Sequence, residues 1–313
     1  MSVGSRLALI ALLFASGCVA VQAGATATLV QEYSWTSSLP RFGGFSGIEV
    51  SDDGASFVAV SDRGTLWRGD ITRDAKGAIA SIDTTFLATL KTSEGKPVRG
   101  ATSDSEGLAI APDGTIYVSF EGIARVARYR TPDAPAERIP RMEAFKKLQV
   151  NSALEALAID ADGAIYTLPE RSGALDRPYP VWRYKNGAWS EPFSIPRDGE
   201  WLPVGADFGP DGKFYVLERD FKGLLGFRSR VTRYVISGDT ISKGEPVLET
   251  GPGRYDNFEG ISVWRDATGA IRLTLISDDN FIYFQSTLLL EFKLVGEFAP
   301  VSGPTEAEAS PRP

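Results

Sequence analysis

Short apolar segments alternate with turn residues along almost the whole chain, and one phrase of this pattern recurs five times. Each copy has a strand of small apolar residues, a polar turn, and a second strand with larger alternating side chains. Period-two alternation over such short runs predicts β-strands. The copies read FSGIEVSDDGASFVAVSDRG from Phe45, DSEGLAIAPDGTIYVSFEG from Asp104, ALEALAIDADGAIYTLPER from Ala153, VGADFGPDGKFYVLERDF from Val204 and NFEGISVWRDATGAIRLTLISDD from Asn257.

Turn residues separate the two strands of each copy. Asp-Gly between apolar runs is typical of a tight hairpin whose two central residues both take positive φ. We therefore expect an antiparallel hairpin in each copy, with RDATG forming the turn of the fifth. The four Asp-Gly turns are Asp53-Gly54, Asp113-Gly114, Asp162-Gly163 and Asp211-Gly212.

A repeat of roughly 50 residues is typical of propeller blades, because one unit alone cannot bury its apolar face. Further strands can be read between successive copies, but the last copy is followed by only one, STLLLEFKL. The early segment Ala27–Trp35 is available to complete that blade, which would leave no free sheet edge. The sequence predicts an all-β fold: one β-propeller of five blades, closed by pairing of its N- and C-terminal strands. Six blades remain possible if a degenerate copy follows Gly64 or Gly122.

The first 23 residues have the pattern of an export signal, with Arg6 followed by the apolar run LALIALLFAS. This run is too short to be a spanning helix. Cleavage before Cys18 would give a lipoprotein, although Ala15 stands where Leu is usual, and cleavage after Ala23 would give a soluble protein. We expect either a lipoprotein on the periplasmic face of a bacterial membrane or a soluble periplasmic or secreted protein.

These patterns predict three segments along the chain. The signal covers residues 1–23 and the propeller covers residues 24–298. Residues 299–313 are rich in Pro and Ala and have no apolar period, so we expect a disordered tail.

Composition restricts the chemistry. The 313 residues include no histidine, which excludes a Ser-His-Asp triad and any His-ligated metal. The net charge of −7 disfavours nucleic-acid binding. A site must therefore use carboxylates, Arg, Lys, Tyr, hydroxyl groups or a bound ion.

Acidic residues recur at two places in the phrase, and equivalent positions of a closed ring converge on its axis. We expect three to five carboxylates at one mouth of the central channel. The first set precedes the inner strand and comprises Glu106, Glu155 and Glu259, with Ser46 in the first copy and Asp207 near the place in the fourth. The second set follows the second strand and comprises Asp62, Glu121, Glu170, Glu218 and Asp278.

Like charges packed together disfavour joint ionisation, so such a cluster either protonates or holds a cation. With oxygen ligands only, calcium is the expected ion and magnesium the less favoured one. The predicted metal ligands are Glu106, Glu155, Glu259, Asp207, Asp62, Glu121 and Asp278. The alternative is structural: a carboxylate at a strand end can simply bond backbone amides or face solvent.

Arginine follows the acid in three copies, at Arg63, Arg171 and Arg219. A guanidinium at the mouth could bind an anionic substrate group with two hydrogen bonds. It could equally pair with the acid of a neighbouring blade. The predicted catalytic residues are Arg171, Arg219, Glu170 and Glu218.

At these phrases the chain resembles the phytase-like family described as "esterase-like activity of phytase", a group of exported bacterial propeller proteins. The resemblance lies in EG, PDG and LER within the copies and in NFEGISVWRD with LISDDNF, and it extends from about Phe42 to Leu294. It implies hydrolysis of a phosphate ester or other ester. The first copy has Ser46 and the fourth has Val204-Gly205-Ala206 where the others have Glu, so any metal site should be asymmetric.

Two functions follow from the sequence. The first is an exported hydrolase of a small anionic substrate, with calcium bound by carboxylates and no membrane contact beyond a lipid anchor. The second is a non-catalytic envelope propeller that binds a partner or a sugar, in which the acids are structural. The substrate and the oligomeric state stay open.

Overall fold

Five four-stranded antiparallel sheets form the blades of a closed ring in the computed structural model, which describes residues 24–149, 152–280 and 286–296. The predicted signal, Cys18 and the predicted tail lie outside the described residues. Each blade begins with its inner strand at the central channel and proceeds outwards, so that the inner strands of neighbouring blades contact one another around the axis.

The strands have the following bounds. The first strand, β1 (Thr26–Ser34), belongs to the last blade. Blade 1 contains β2 (Phe45–Val50), β3 (Ser56–Ser61), β4 (Thr65–Arg73) and β5 (Ile79–Thr89). Blade 2 contains β6 (Ser105–Ile110), β7 (Ile116–Phe120), β8 (Arg125–Tyr129) and the two-residue β9 (Glu137–Arg138). Blade 3 contains β10 (Leu154–Ile159), β11 (Ile165–Pro169), β12 (Tyr179–Lys185) and β13 (Ala188–Ile195).

Blade 4 contains β14 (Leu202–Phe208), β15 (Phe214–Phe221), β16 (Phe227–Tyr234) and, after a small hairpin of β17 (Ile236–Ser237) and β18 (Thr240–Ile241), β19 (Glu245–Glu249). Blade 5 contains β20 (Asn257–Arg265), β21 (Ile271–Asp278) and β22 (Leu288–Val295). The described ranges also hold 3-10 helices at Gly100–Thr102, Glu143–Lys147 and Gly223–Leu225. Nowhere in these ranges is there a helix with the length and hydrophobicity to span a bilayer.

The two ends of the described chain close the ring. Strand β1 pairs antiparallel with β22, from Thr26 opposite Val295 to Ser34 opposite Leu288. This pairing gives blade 5 its fourth strand and leaves neither chain end as an exposed sheet edge. The predicted all-β fold, the count of five blades and the closure by the terminal strands are confirmed.

The hairpin turns differ from the prediction in one respect. Gly114 has φ +82°, but Asp113 does not share its positive φ. The Gly114 N–H donates to the Ala111 carbonyl at 2.8 Å, and the Ala111 N–H donates to the Thr115 carbonyl at 2.9 Å. The loop thus has three residues, in which an ordinary turn precedes one left-handed glycine, so only the glycine needs positive φ.

Small residues let the five inner strands approach closely at the axis. A side chain on Gly107 would come within 2.5 Å of the Leu157 Cβ and 2.6 Å of the Glu155 carbonyl oxygen. The cavity that remains between the inner strands is about 10 Å³, room for about one water molecule. The channel is therefore closed at its centre, and its two ends form separate sites.

Candidate functional site

Every inner strand has a β-bulge near its start, at the same end of the ring. The pairing between inner and second strands shifts at Phe45/Gly47, Ser105/Leu108, Leu154/Ala156, Pro203/Gly205 and Phe258/Gly260. A bulge re-aims the side chain of the extra residue. The bulged positions form what we call the inner ring of the mouth: Ser46, Glu106, Glu155, Val204 and Glu259.

The second strands end beside these bulges and supply an outer ring. The backbone N–H of Asp62 donates to Gly44, that of Glu121 to Asp104 and that of Glu170 to Ala153. The same register places Arg219 opposite Leu202 and Asp278 opposite Asn257. The outer ring of the mouth is therefore Asp62, Glu121, Glu170, Arg219 and Asp278.

Arg219 is the basic member of this outer ring. Its Nη2 lies 2.9 Å from Glu170 Oε1, and its Nη1 donates to Asn257 Oδ1 at 2.9 Å and to Glu259 Oε1. Burial alone would lower the pKa of Arg219, but the charges of Glu259, Glu170 and Glu155 raise it well above its ordinary value. Arg219 is thus a built-in counter-ion for acids of blades 3 and 5, the pairing between blades that the sequence left as an alternative.

Three acids meet on the side of the mouth formed by blade 2. Carboxylate oxygens of Asp104, Glu106 and Glu121 all lie within 4.8 Å of one another. Burial and the charges of four other carboxylates raise the pKa of Glu106 well above its ordinary value, and no basic group is among these strongest influences. Burial, followed by the charge of Glu121 and a hydrogen bond to it, also raises the pKa of Glu155. These groups need shared protons or a cation.

Asp104 was missed by the sequence reasoning. It lies at the position that precedes Ser105 in the inner strand, as Asn257 does before Phe258 in blade 5. Both copies thus have a polar residue two places before the ring glutamate, in DSEG and NFEG. That shared polar position was the available signal.

Another acid group lies on the side formed by blades 5 and 1. Burial raises the pKa of Asp62 to about 6, with the charge of Glu259 adding to the effect against that of Arg63. Burial and the charge of Glu259 raise the pKa of Asp278 to about 8. Asp62 Oδ1 is buried and has no hydrogen-bond partner among the described residues. A buried carboxylate oxygen without a hydrogen-bond donor calls for another partner, such as a proton, a water molecule or an ion.

Two predicted residues lie outside the mouth. Glu218 precedes Arg219 on β15, so its side chain points to the other face of the strand. There it accepts hydrogen bonds of 2.8 Å from both Nε and Nη2 of Arg230 and one of 2.7 Å from Thr232. Glu218 is therefore part of the packing of blade 4, remote from the carboxylates with which the sequence grouped it.

Asp207 lies at the opposite end of the channel. The bulged residue of blade 4 is Val204, and Asp207 follows it by three residues, or about 10 Å of strand. Asp207 accepts hydrogen bonds from the backbone N–H groups of Val263 at 2.6 Å and Phe208 at 2.7 Å. Burial raises its pKa to about 7. It lines a cavity of about 500 Å³ with Glu49 and Tyr166, apart from the other predicted ligands.

Two further predicted positions differ in exposure. Arg171 is 48% exposed at the rim, with its Nε 3.4 Å from Glu170 Oε2. Ser46 is buried, and its hydroxyl donates to the Ser105 carbonyl at 2.7 Å. Arg171 is therefore accessible to a solute, whereas Ser46 is committed to joining blades 1 and 2.

The chemistry of the mouth fits a hard cation. Its carboxylates outnumber its basic groups, and the atoms that could bind a metal ion are all oxygens, which favours Ca²⁺ or Mg²⁺ over softer metals. Arg219 forms ion pairs with Glu170 and Glu259. Among the described residues, no ion pair joins a basic side chain to Asp104, Glu106 or Glu121. The uncompensated acids lie on the side of the ring away from Arg219.

Fold and site together define a five-bladed propeller with an acidic mouth at one end of its axis. A profile of the phytase-like family, described as "esterase-like activity of phytase", matches residues 40–281. The chain belongs to this family. A search among curated proteins found no match.

Several solved structures are similar to this chain at low sequence identity. The PQQ-bound aldose sugar dehydrogenase of Streptomyces coelicolor is 13% identical, with 87% of this chain and 99% of that chain covered and a TM-score of 0.49. The α-L-arabinofuranosidase of Podospora anserina is 12% identical, with 88% and 98% covered and a TM-score of 0.49. A gluconolactonase of Xanthomonas campestris is 16% identical, with 76% and 68% covered and a TM-score of 0.39.

Proposed function

We propose that the protein is an exported hydrolase of a phosphate ester or another ester, with a calcium ion bound by the carboxylates of the mouth. The observation behind the proposal is the group formed by Asp104, Glu106 and Glu121, in which one carboxylate oxygen of each residue lies within 4.8 Å of the others. No ion pair within the described part of the chain includes any of the three. Membership of the phytase-like family supports the type of reaction.

Calcium suits this mouth better than magnesium does. Calcium accepts six to eight oxygen ligands in flexible geometry, whereas magnesium demands a near-ideal octahedron. Asp104, Glu106 and Glu121 would hold the ion, with Glu155 beside them. A bound calcium ion would polarise a phosphoryl or acyl oxygen of the substrate and neutralise charge that develops on it.

The two arginines of the mouth have different roles in this proposal. Arg219 fixes Glu170 and Glu259 through three hydrogen bonds to oxygen atoms, including that of Asn257, so it orients the acids and has little capacity left for substrate. Arg171 is exposed beside Glu170 and can donate to an anionic group of the substrate. Substrate recognition therefore rests on Arg171, and positioning rests on Arg219.

A raised pKa fits Glu155 for proton transfer. Burial, followed by the charge of Glu121 and a hydrogen bond to it, raises the pKa of Glu155, so this carboxyl group binds a proton more readily than an ordinary glutamate does. Such a carboxyl group can accept a proton from an attacking water and return it to the leaving group. The Glu121 carboxylate would stabilise the protonated form between these events.

Export rests on the N-terminal sequence. Arg6, the apolar run and Cys18 are the features of a lipoprotein signal, and we propose attachment to the periplasmic face of a bacterial membrane. In membrane fractionation of cells, a Cys18→Ser variant should move to the soluble fraction. If it stays with the membrane, the proposed anchor is wrong.

A screen of phosphate esters and lactones, run with calcium and with a chelator, tests the activity. We expect turnover that disappears on chelation and in Glu155→Gln. The matched control is Asp207→Asn, which removes a buried acid at the other end of the channel and should keep the activity. If calcium stabilises the protein but no ester is hydrolysed, the non-catalytic alternative, an envelope propeller that binds a partner or a sugar, replaces the hydrolase.

A further inference from the structure

A cavity of about 510 Å³ lies at the outer edge of blade 2, and no residue of the inner or outer ring of the mouth lines it. Its walls come from β8, from residues 136–141 and from the loop that follows β5. The outermost strand of this blade, β9, has only two residues, so most of β8 is left without a covering strand. Cavities of this size hold small organic ligands.

Apolar side chains form much of the wall. Val126, Tyr129 and Ile139 are buried, whereas Ile123 at the rim is 40% exposed. Ile123 exposes apolar surface to water beside the cavity, and a ligand that covered this surface would gain free energy from its burial. The interior therefore favours an apolar body.

Three basic side chains also line this cavity. None of the ion pairs among the described residues includes Lys91, Arg125 or Arg141. Nearby acids form ion pairs with other bases: Glu94 with Arg138, and Glu137 with Arg128 and Arg130. Glu143 forms an ion pair with Lys146, and the charge of Arg141 acts on it more weakly. Three cations at one cavity without an ion pair, in a chain of net charge −7, indicate a place for an anion.

Backbone carbonyls hold the two guanidinium groups in place. Arg125 lies 3.7 Å from the centre of the Phe120 ring and donates to the carbonyls of Ile123 at 3.1 Å and Thr102 at 2.6 Å. Arg141 donates through Nε to the Ala124 carbonyl at 2.8 Å. These bonds use only part of the five N–H groups of each guanidinium, so several remain for an oxyanion. Burial, together with the positive charge of Arg141, lowers the pKa of Arg125 to about 10.

We propose that this cavity binds a small amphipathic anion, with an alkyl or aryl body against Val126, Tyr129 and Ile139 and an oxyanion head between Arg125 and Arg141. The head is a carboxylate or a phosphate, both of which match paired guanidinium donors. This site is independent of the proposed hydrolase activity.

Calorimetric titration of the full-length protein with octanoate and with octyl phosphate tests the proposal, and the tighter of the two identifies the head group. Arg141→Gln and Arg125→Gln should each weaken binding by about tenfold, the loss of one charge-assisted contact. The matched control is Arg197→Gln. Arg197 also lies over an aromatic ring and bonds a backbone carbonyl, but it is remote from this cavity.

Further measurements distinguish the contribution of charge to binding from that of apolar packing. Octan-1-ol should bind at least about tenfold more weakly than octanoate, because it lacks the charge. Ala136→Phe fills the cavity while keeping both arginines and should abolish binding. The proposal is overturned if neither octyl anion binds, if octan-1-ol or inorganic phosphate binds as tightly, or if Arg141→Gln, an exposed substitution that should not disturb folding, has no effect.

Discussion

Arg219 of blade 4 donates to Glu170 of blade 3 across 2.9 Å, and the two residues occupy equivalent positions of their blades. The outer ring of the mouth therefore has four acids and one base. The arginine breaks the symmetry of the ring. Its guanidinium compensates the carboxylates of blades 3 and 5, whereas the acids on the blade 2 side have no such counter-ion. The asymmetry determines where a cation would bind.

Replacing Arg219 should destabilise the fold when no metal ion is present. In metal-free protein, Arg219→Gln leaves Glu170 and Glu259 without their partner and should cost about 3–5 kcal/mol of unfolding free energy. Urea unfolding with a chelator present measures the change. Arg171→Gln, at the exposed rim, is the control and should cost less than about 1 kcal/mol. Equal effects of the two substitutions would show that Arg219 is not the counter-ion of the ring.

Glu218 should matter for stability and not for metal binding. Glu218→Ala leaves the buried Arg230 without its two-bonded partner and should cost about 3–5 kcal/mol. Replacing both residues, by Glu218→Leu with Arg230→Met, should cost much less because no buried charge remains. Urea unfolding and calcium titration test both statements. A weaker calcium affinity in the double variant would show that Glu218 contributes to the calcium site after all.

Asp207 offers a similar test at the other end of the channel. Asp207→Ala removes the acceptor for the N–H groups of Val263 and Phe208 and should cost about 1–3 kcal/mol for each group left unpaired. Asp207→Asn keeps one carbonyl acceptor and should cost less. Thermal unfolding compares the two variants, and an unchanged melting temperature in Asp207→Ala would show that these two hydrogen bonds do not stabilise the fold.

The pH dependence of stability should have an unusual sign. Asp62, Asp278, Glu106 and Glu155 have raised pKa values, so the folded protein binds more protons than the unfolded chain. Their contribution is fully present below the unfolded value of about 4 and is lost as pH rises through the folded values of about 6 for Asp62 and about 8 for Asp278.

Metal-free protein should therefore melt at a lower temperature at pH 8.5 than at pH 5, and calcium should reduce the difference. Melting curves across this range, with calcium and with a chelator, check the prediction. Part of the slope should persist in calcium, because Glu49 and Asp207 at the other end also have raised pKa values. A melting temperature that rises with pH in the chelator would contradict the assignment.

The fold was predictable because each blade repeats the same alternation of apolar and polar residues. The inner-ring acids were predictable for the same reason: Glu106, Glu155 and Glu259 stand before inner strands of nearly identical pattern. Position in a repeat is enough to bring residues together when the repeat closes into a ring.

The outer ring could not be read by matching acids alone. Grouping Glu218 with Glu121 and Glu170 assumes that like residues are equivalent, but the bulge and the strand register place Arg219 there. Aligning the tyrosines of the second strands would have found it, since Glu121, Glu170 and Arg219 each lie four residues after Tyr117, Tyr166 and Tyr215. In a strand, an error of one residue reverses the face of the sheet.

Asp207 shows the other limit. A search for the missing acid of the fourth copy selects the nearest carboxylate, although the equivalent position is held by Val204. Three residues of extended chain are enough to move a side chain from one end of the closed channel to the other.

Calorimetric titration of metal-free protein with calcium at neutral pH tests the central claim most directly. We predict saturable binding by the wild-type protein, weakened at least about tenfold in both Glu106→Gln and Glu121→Gln and unchanged in Asp207→Asn. Absence of saturable binding by the wild-type protein, or equal affinity in all four proteins, would contradict a cation site at the mouth.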